Sequence, residues 1–264
     1  MSFKAELVVE HIVNWLDDYS EKSGVDSFVV GVSGGIDSAV TATLCARTGR
    51  KTYLVNMPIH QAKSELIRSD ELIGQLDSEF DNVSSINVSL TEVYDCLKDS
   101  LPIVEDRSGG LALANTRARL RMTTLYALAQ ERNALVVGTG NKIEDFGVGF
   151  FTKYGDGGVD LSPIADLVKS EVYLIGGVIG VPISIIKAAP TDGLWGDDRN
   201  DEDQIGASYP ELEKAMAQAK KIANGELTHD ELTVREVEVF EIFSRLNRIN
   251  QHKMNPIPVC IIPR

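Results

Sequence analysis

The sequence predicts an α/β protein built on a doubly wound parallel sheet, and three observations carry that prediction. Short apolar, β-branched runs recur at FVVGV (28–32), TYLVNMP (52–58), VSSINV (83–88) and ALVVGTG (134–140). Each is short enough to be a buried strand, and helical patterns fill the intervals. Strands alternating with helices at this spacing form a parallel sheet. The first run breaks into Ser33-Gly34-Gly35 before a good helix former. That turn falls at the C-terminal strand ends, where open α/β sheets bind ligands.

Taken in order, the chain opens with an amphipathic helix over 4–21, because Leu7, Val8, Ile12, Trp15 and Leu16 fall at helical spacing. The first strand is followed by a helix over 38–48 that ends at Gly49. The second strand leads to a helix over 61–79, and the third to one reaching about residue 100. LPIVEDRSGG (101–110) reads as a loop, and 111–132 is the longest helical pattern. LIGGVIGV (174–181) places paired glycines where a helix is expected, at a cost of about 1 kcal/mol each. Trp15 and Trp195 read as core or interface residues. With no repeat and no low-complexity linker, 1–264 reads as one domain. Its parts are the opening helix, a core over about 25–195 and a helical C-terminal part over 196–264.

Composition narrows the function. A net charge of −13 argues against a nucleic-acid partner, because phosphate backbones are gripped by Lys and Arg. An anionic substrate must then be met by a few local cations. No apolar run reaches the roughly 18 residues of a membrane span, so no membrane partner is expected. The N-terminus, MSFKAELVVEHIVNWL, lacks the apolar region of a signal peptide. Cys45, Cys96 and Cys260 are odd in number and far apart, without CxxC, which argues against disulfides and zinc or iron–sulfur sites. The expected location is cytoplasmic. The acidic run 196–203 reads as a solvated loop or as a mobile lid near the site.

The chemistry concentrates in two stretches. In the first, Gly31, Val32, Ser33, Gly34, Gly35, Ile36, Asp37 and Ser38 join strand to helix. This geometry aims backbone N–H groups and a helix N-terminus at an anion. Glycine permits positive φ and the close approach of a phosphate. Ser33 and Ser38 add hydroxyl donors, and Asp37 can hold a metal ion beside the phosphates. The loop has no Walker A lysine and does not fit GxGxxG. SGGIDS resembles instead the SGGxDS loop of the N-type ATP pyrophosphatases, or PP-loop enzymes. That resemblance implies an adenine nucleotide alpha hydrolase-like fold and cleavage of ATP between its α and β phosphates.

The second stretch, 138–172, supplies Thr139, Glu144, Lys153, Asp156, Asp160 and Lys169 after the fourth strand. Glu144 can share Mg²⁺ with Asp37, since hard cations take carboxylate and phosphate oxygens. Lys153 and Lys169 are the local cations that the acidic composition makes necessary. On the preceding helix, spacing places Arg119 and Arg121 on different faces, and Arg119 is the one chosen to reach substrate.

Together SGGIDS, NTRARLRM (115–122), GTGNKIE (138–144), FFTKYGDGG (150–158), LVKSEV (167–172), APTDGLW (189–195) and His252-Lys253 resemble, in this order, the NAD synthetases. The resemblance runs from about residue 25 to 255. It implies that nicotinic acid adenine dinucleotide (deamido-NAD), ATP and ammonia give NAD, AMP and pyrophosphate through an acyl adenylate. It further implies that residues 31–38, Thr139, Lys169 and Thr191 contact ATP, and that Asp37 and Glu144 hold Mg²⁺. Arg119, Lys153, Asp160, His252 and Lys253 would contact the dinucleotide, with Asp156 close to the transferred amide. Asp37, Asp156 and Lys169 are the expected catalytic residues. Between Glu144 and Phe150-Phe151 the chain is one residue longer than the resemblance leads one to expect. No amidase domain is seen, so ammonia is the expected nitrogen donor, and a homodimer is implied. Another PP-loop adenylating amidase or ligase, or a non-catalytic ATP-binding module, are the alternatives.

Overall fold

The computed structural model describes residues 3–104, 106–191 and 200–263. Trp195, the last four residues of APTDGLW and the first four of the acidic run lie outside them. Four parallel strands stand in the order β3-β2-β1-β4. They are β1 (Ser27–Gly31), β2 (Lys51–Asn56), β3 (Val83–Asn87) and β4 (Ala134–Val137). The helices between them are α1 (Ala5–Ser23), α2 (Ile36–Arg47), α3 (Lys63–Glu79), α4 (Thr91–Ser100) and α5 (Arg107–Arg132). In β1, Phe28 and Val30 face α1 and α2, while Val29 faces α4 and α5 across the sheet. Both faces are therefore covered, which is why β1 is apolar at every interior position.

Strand order decides where the site lies. β1 pairs with β2 on one side (Gly31 opposite Val55) and with β4 on the other (Val30 opposite Val137). The connections leaving β1 and β4 thus diverge, and a crevice opens between the turns that follow them. Those turns are SGGIDS and GTGN, 100 residues apart in sequence and neighbours in space.

Two boundaries differ from the sequence reading for a physical reason. α5 begins at Arg107, not at 111, because Asp106 caps it by accepting from Gly109 N at 2.8 Å. The last residues of the expected loop are therefore helical. α2 begins at Ile36, not at 38, which puts Asp37 in its first turn, where the helix dipole favours negative charge.

The remainder packs on this core. A π-helix (Ile143–Val148) follows β4, and α6 (Lys169–Ile179) and α7 (Ile183–Ile186) follow it. In α6, a Cβ on Gly176 would stand 2.8 Å from Ile36 Cδ1, whereas Gly177 meets open space. One of the paired glycines is thus a contact between α6 and the start of α2. The C-terminal helices are α8 (Asp201–Ile205), α9 (Tyr209–Ala223) and α10 (Val234–Met254). Their apolar core is shared with the π-helix through Ile143, Val148, Leu212 and Phe243. Among the described residues no helix is long and apolar enough to cross a membrane.

Candidate active site

The phosphate loop is braced from within and from α3. Gly34 holds φ +84°, and a Cβ there would lie 2.5 Å from Glu65 O, so only glycine fits. Ser38 Oγ accepts from Ser33 N at 3.2 Å and donates to Gly35 O at 3.0 Å. Ser33 Oγ accepts from Gly35 N at 3.2 Å. The two serines therefore shape the loop in addition to offering hydroxyls. Gly35, the N-cap of α2, has no side chain to accept from the helix N–H groups, an arrangement suited to an anion.

Facing this loop, Lys169 joins two carboxylates drawn from distant parts of the chain. Its Nζ donates to Asp37 Oδ2 at 2.5 Å and to Glu144 Oε1 at 3.0 Å. The lysine side chain is 4 % exposed and each carboxylate 17 %. Asn141, fully buried, donates from Nδ2 to Asp37 Oδ1 at 3.2 Å, and its Oδ1 accepts from Ile143 N and Glu144 N. Tyr209 brings its hydroxyl 2.5 Å from Glu144 Oε1 and 3.2 Å from Asp201 Oδ2, and Lys169 Nζ lies 4.7 Å from its ring centroid. Burial raises Asp37, with Lys169 only partly offsetting it. Glu144 is also pushed up by burial, but Lys169 and the Tyr209 hydroxyl together bring it below its ordinary value. Burial alone would lower Lys169; the two carboxylates instead raise it, so it stays an ammonium.

At Glu144 the chain turns through the π-helix, whose turn holds more residues than an α-turn. Glu144 lies in its first turn and stays opposite Asp37. Among the described residues no three His, Cys, Asp or Glu side chains gather as a metal-ligand set. Two carboxylates at the mouth of a phosphate loop nevertheless fit Mg²⁺, which uses one or two carboxylates and completes its shell with phosphate oxygens and water.

The structure separates the residues singled out from sequence into two groups. Residues 31–38, Thr139, Glu144, Asp156, Lys169 and Thr191 line one cavity in the crevice. Asp156 accepts from Thr152 N at 2.9 Å, and burial raises its carboxyl to about 6. The other group lies outside that cavity. Arg119 Nε and Nη2 stand 3.4 Å from Lys153 O, and Lys153 Nζ donates to His252 O. Lys253 Nζ donates to Gly149 O and Phe151 O, both at 2.8 Å. Asp160 accepts from Val136 N at 2.8 Å and from the Tyr126 hydroxyl at 2.9 Å.

Several cavity residues escaped the sequence reading. Arg68 donates to Gly34 O at 3.0 Å, and Arg121, not Arg119, reaches the wall, donating to Met57 O at 3.1 Å and Gln61 Oε1 at 2.8 Å. Burial and the Glu144 charge raise the neighbouring Asp145 to about 8. Behind the cavity wall, Asn141, which bonds Asp37, carried a local signal as a side chain suited to capping just after a strand. Arg68 and Tyr209 sit in ordinary helical sequence, where nothing marks them.

A parallel α/β sheet with an SGGIDS loop, and a lysine bridging two carboxylates beside it, define an ATP-using enzyme of the PP-loop class. The family model described as NAD synthase matches residues 8–257. The chain belongs to that family. An NH(3)-dependent NAD(+) synthetase from Alkaliphilus metalliredigens is 38 % identical over 95 % of this chain and 97 % of its own. A solved NMN synthetase from Francisella tularensis is 31 % identical with a TM-score of 0.81, covering 99 % of both chains. An NH3-dependent NAD synthetase from Campylobacter jejuni, 23 % identical with a TM-score of 0.80, shares the fold over 98 % of this chain.

Proposed function

We propose that the chain is an ammonia-dependent NAD synthetase that amidates nicotinic acid adenine dinucleotide at the expense of ATP. The observation that carries this reading is the Asp37–Lys169–Glu144 cluster facing the SGGIDS loop, in a chain that matches the NAD synthase family over 8–257. The substrate carboxylate attacks the α-phosphate, and pyrophosphate leaves onto the N–H groups at the start of α2. Lys169 offsets negative charge as it spreads over the phosphates, the kind of preorganised electrostatics that dominates phosphoryl chemistry. Mg²⁺ held by Asp37 and Glu144 would neutralise phosphate charge further. Ammonia then attacks the acyl carbon, AMP departs, and the ammonium proton passes to a carboxylate, for which Asp156 in the cavity is suited. No nucleophilic side chain is needed. Arg119, Lys153, Asp160, His252 and Lys253 would hold the dinucleotide where a second copy of the chain approaches. The three free cysteines agree with a cytoplasmic setting.

A second reading, favoured by the Francisella tularensis likeness, is that the acid is the mononucleotide. Pyrophosphate release with ATP and Mg²⁺ tests both. Ammonium should support release and amide formation, and glutamine should not. Comparison of dinucleotide with mononucleotide as acid names the substrate. No release with either acid would refute the synthetase reading.

A further inference from the structure

We propose that Tyr209 is a positioning residue, through which the C-terminal helices fix Glu144 and Lys169 in the ATP site; this rests on the synthetase reading above. Tyr209 is the first residue of α9 and is 3 % exposed. Its backbone is held by Glu202, whose Oε1 accepts from Tyr209 N at 2.9 Å. Its ring belongs to the core formed by Ile143, Val148, Leu212 and Phe243, which joins α9 and α10 to the π-helix. From that anchorage the side chain meets both partners of the central ion pair. The hydroxyl is 2.5 Å from Glu144 Oε1, and the ring face lies 4.7 Å from Lys169 Nζ.

The phenol has one proton and two carboxylates within reach, and Glu144 is the nearer. A phenol donating to a carboxylate is a charge-assisted bond that fixes direction as well as distance. Without it, Glu144 keeps its contacts with Lys169 and Asn141 but loses the bond that ties its carboxylate to the C-terminal helices. The ring acts separately, because its π-face favours the ammonium of Lys169. Removing the hydroxyl while keeping the ring therefore isolates the positioning role.

Tyr209→Phe is the test, with Glu144→Gln and the double variant beside it. The Phe variant should keep its melting temperature. Its kcat for pyrophosphate release should fall about tenfold, the size of a hydrogen bond to a charged group. The KM for the acid should stay within about twofold, since the interaction is not with that substrate. Mn²⁺ binding in the presence of α,β-methylene-ATP, followed by electron paramagnetic resonance, should need several-fold more metal. The double variant should be no worse than Glu144→Gln alone. Equal Mn²⁺ affinity in native and Phe proteins, or additive losses in the double variant, would overturn the proposal. So would a Phe variant without a melting transition, which would put the hydroxyl in folding instead. If the native protein turns over neither acid, the synthetase reading fails, and the Mn²⁺ titration still decides Tyr209.

Discussion

Lys169 is the residue on which the site's charge balance turns, because its ammonium donates to both the Asp37 and the Glu144 carboxylates. Removing it leaves two carboxylates facing one another with little solvent to separate them. Breaking a buried pair in this way costs about 3–5 kcal/mol. Lys169→Ala is therefore expected to lose about 3 kcal/mol of unfolding free energy in urea. Its kcat should drop at least about 100-fold, as for loss of a preorganised electrostatic donor. A Lys169→Ala protein as stable as the native one would show that the pair contributes nothing net. Lys169 was reached from sequence as a local cation and Glu144 as a carboxylate able to share a metal with Asp37, with LVKSEV and GTGNKIE adding the resemblance. Asn141 and Tyr209 were not, because their roles depend on contacts 104 and 65 residues away along the chain. A polar residue's partner at that separation has no periodicity to announce it.

Among the elements, α6 shows how two identical residues acquire different meanings. Gly177 meets open space, so Gly177→Ala should add up to about 1 kcal/mol through helix propensity. Gly176→Ala would press a methyl against buried Ile36, and overpacking of this kind costs about 1–3 kcal/mol. Urea unfolding of the two variants should move in opposite directions; parallel changes would deny the α2–α6 contact its importance. At the start of α9, Glu211 accepts from Ser208 N and from Arg235, and these bonds hold its carboxyl down at about 2. Because that value lies below the ordinary 4.5, the stabilisation is present above 4.5 and is lost as pH falls toward 2. Glu211→Gln should therefore destabilise at neutral pH, by about 1 kcal/mol at most for so exposed a group. Thermal melts should show the gap to the native protein closing between those two pH values. A gap that stays constant with pH would rule out the ionised carboxylate as its source.

For the whole molecule, the division of the expected contacts is the informative feature. The ATP set gathers in one cavity, while Arg119, Lys153, His252 and Lys253 form a separate basic cluster outside it. A dinucleotide spanning from the crevice to such a cluster is well served by a second copy closing over it. The chain should accordingly elute at roughly twice its 28.8 kDa by light scattering at micromolar concentration. A monomer under those conditions would remove the second copy from the account of the dinucleotide site.

The sequence by itself determined the parallel α/β sheet, the phosphate loop and the resemblance that led to the family. These depend on local patterns: buried strands are apolar throughout, a phosphate loop needs glycines at fixed offsets, and each motif is contiguous. The π-helix that carries Glu144 was not legible in the sequence. Tertiary structure alone decided that Arg121 rather than Arg119 lines the cavity, and that Asn141 orients Asp37. It also decided that the C-terminal helices, legible only as an extension, send Tyr209 and Asp201 to the Asp37–Lys169–Glu144 cluster. The reason is physical: chain order fixes which side chains exist, but strand order and packing fix which of them share a dry space, where their charges and hydrogen bonds matter.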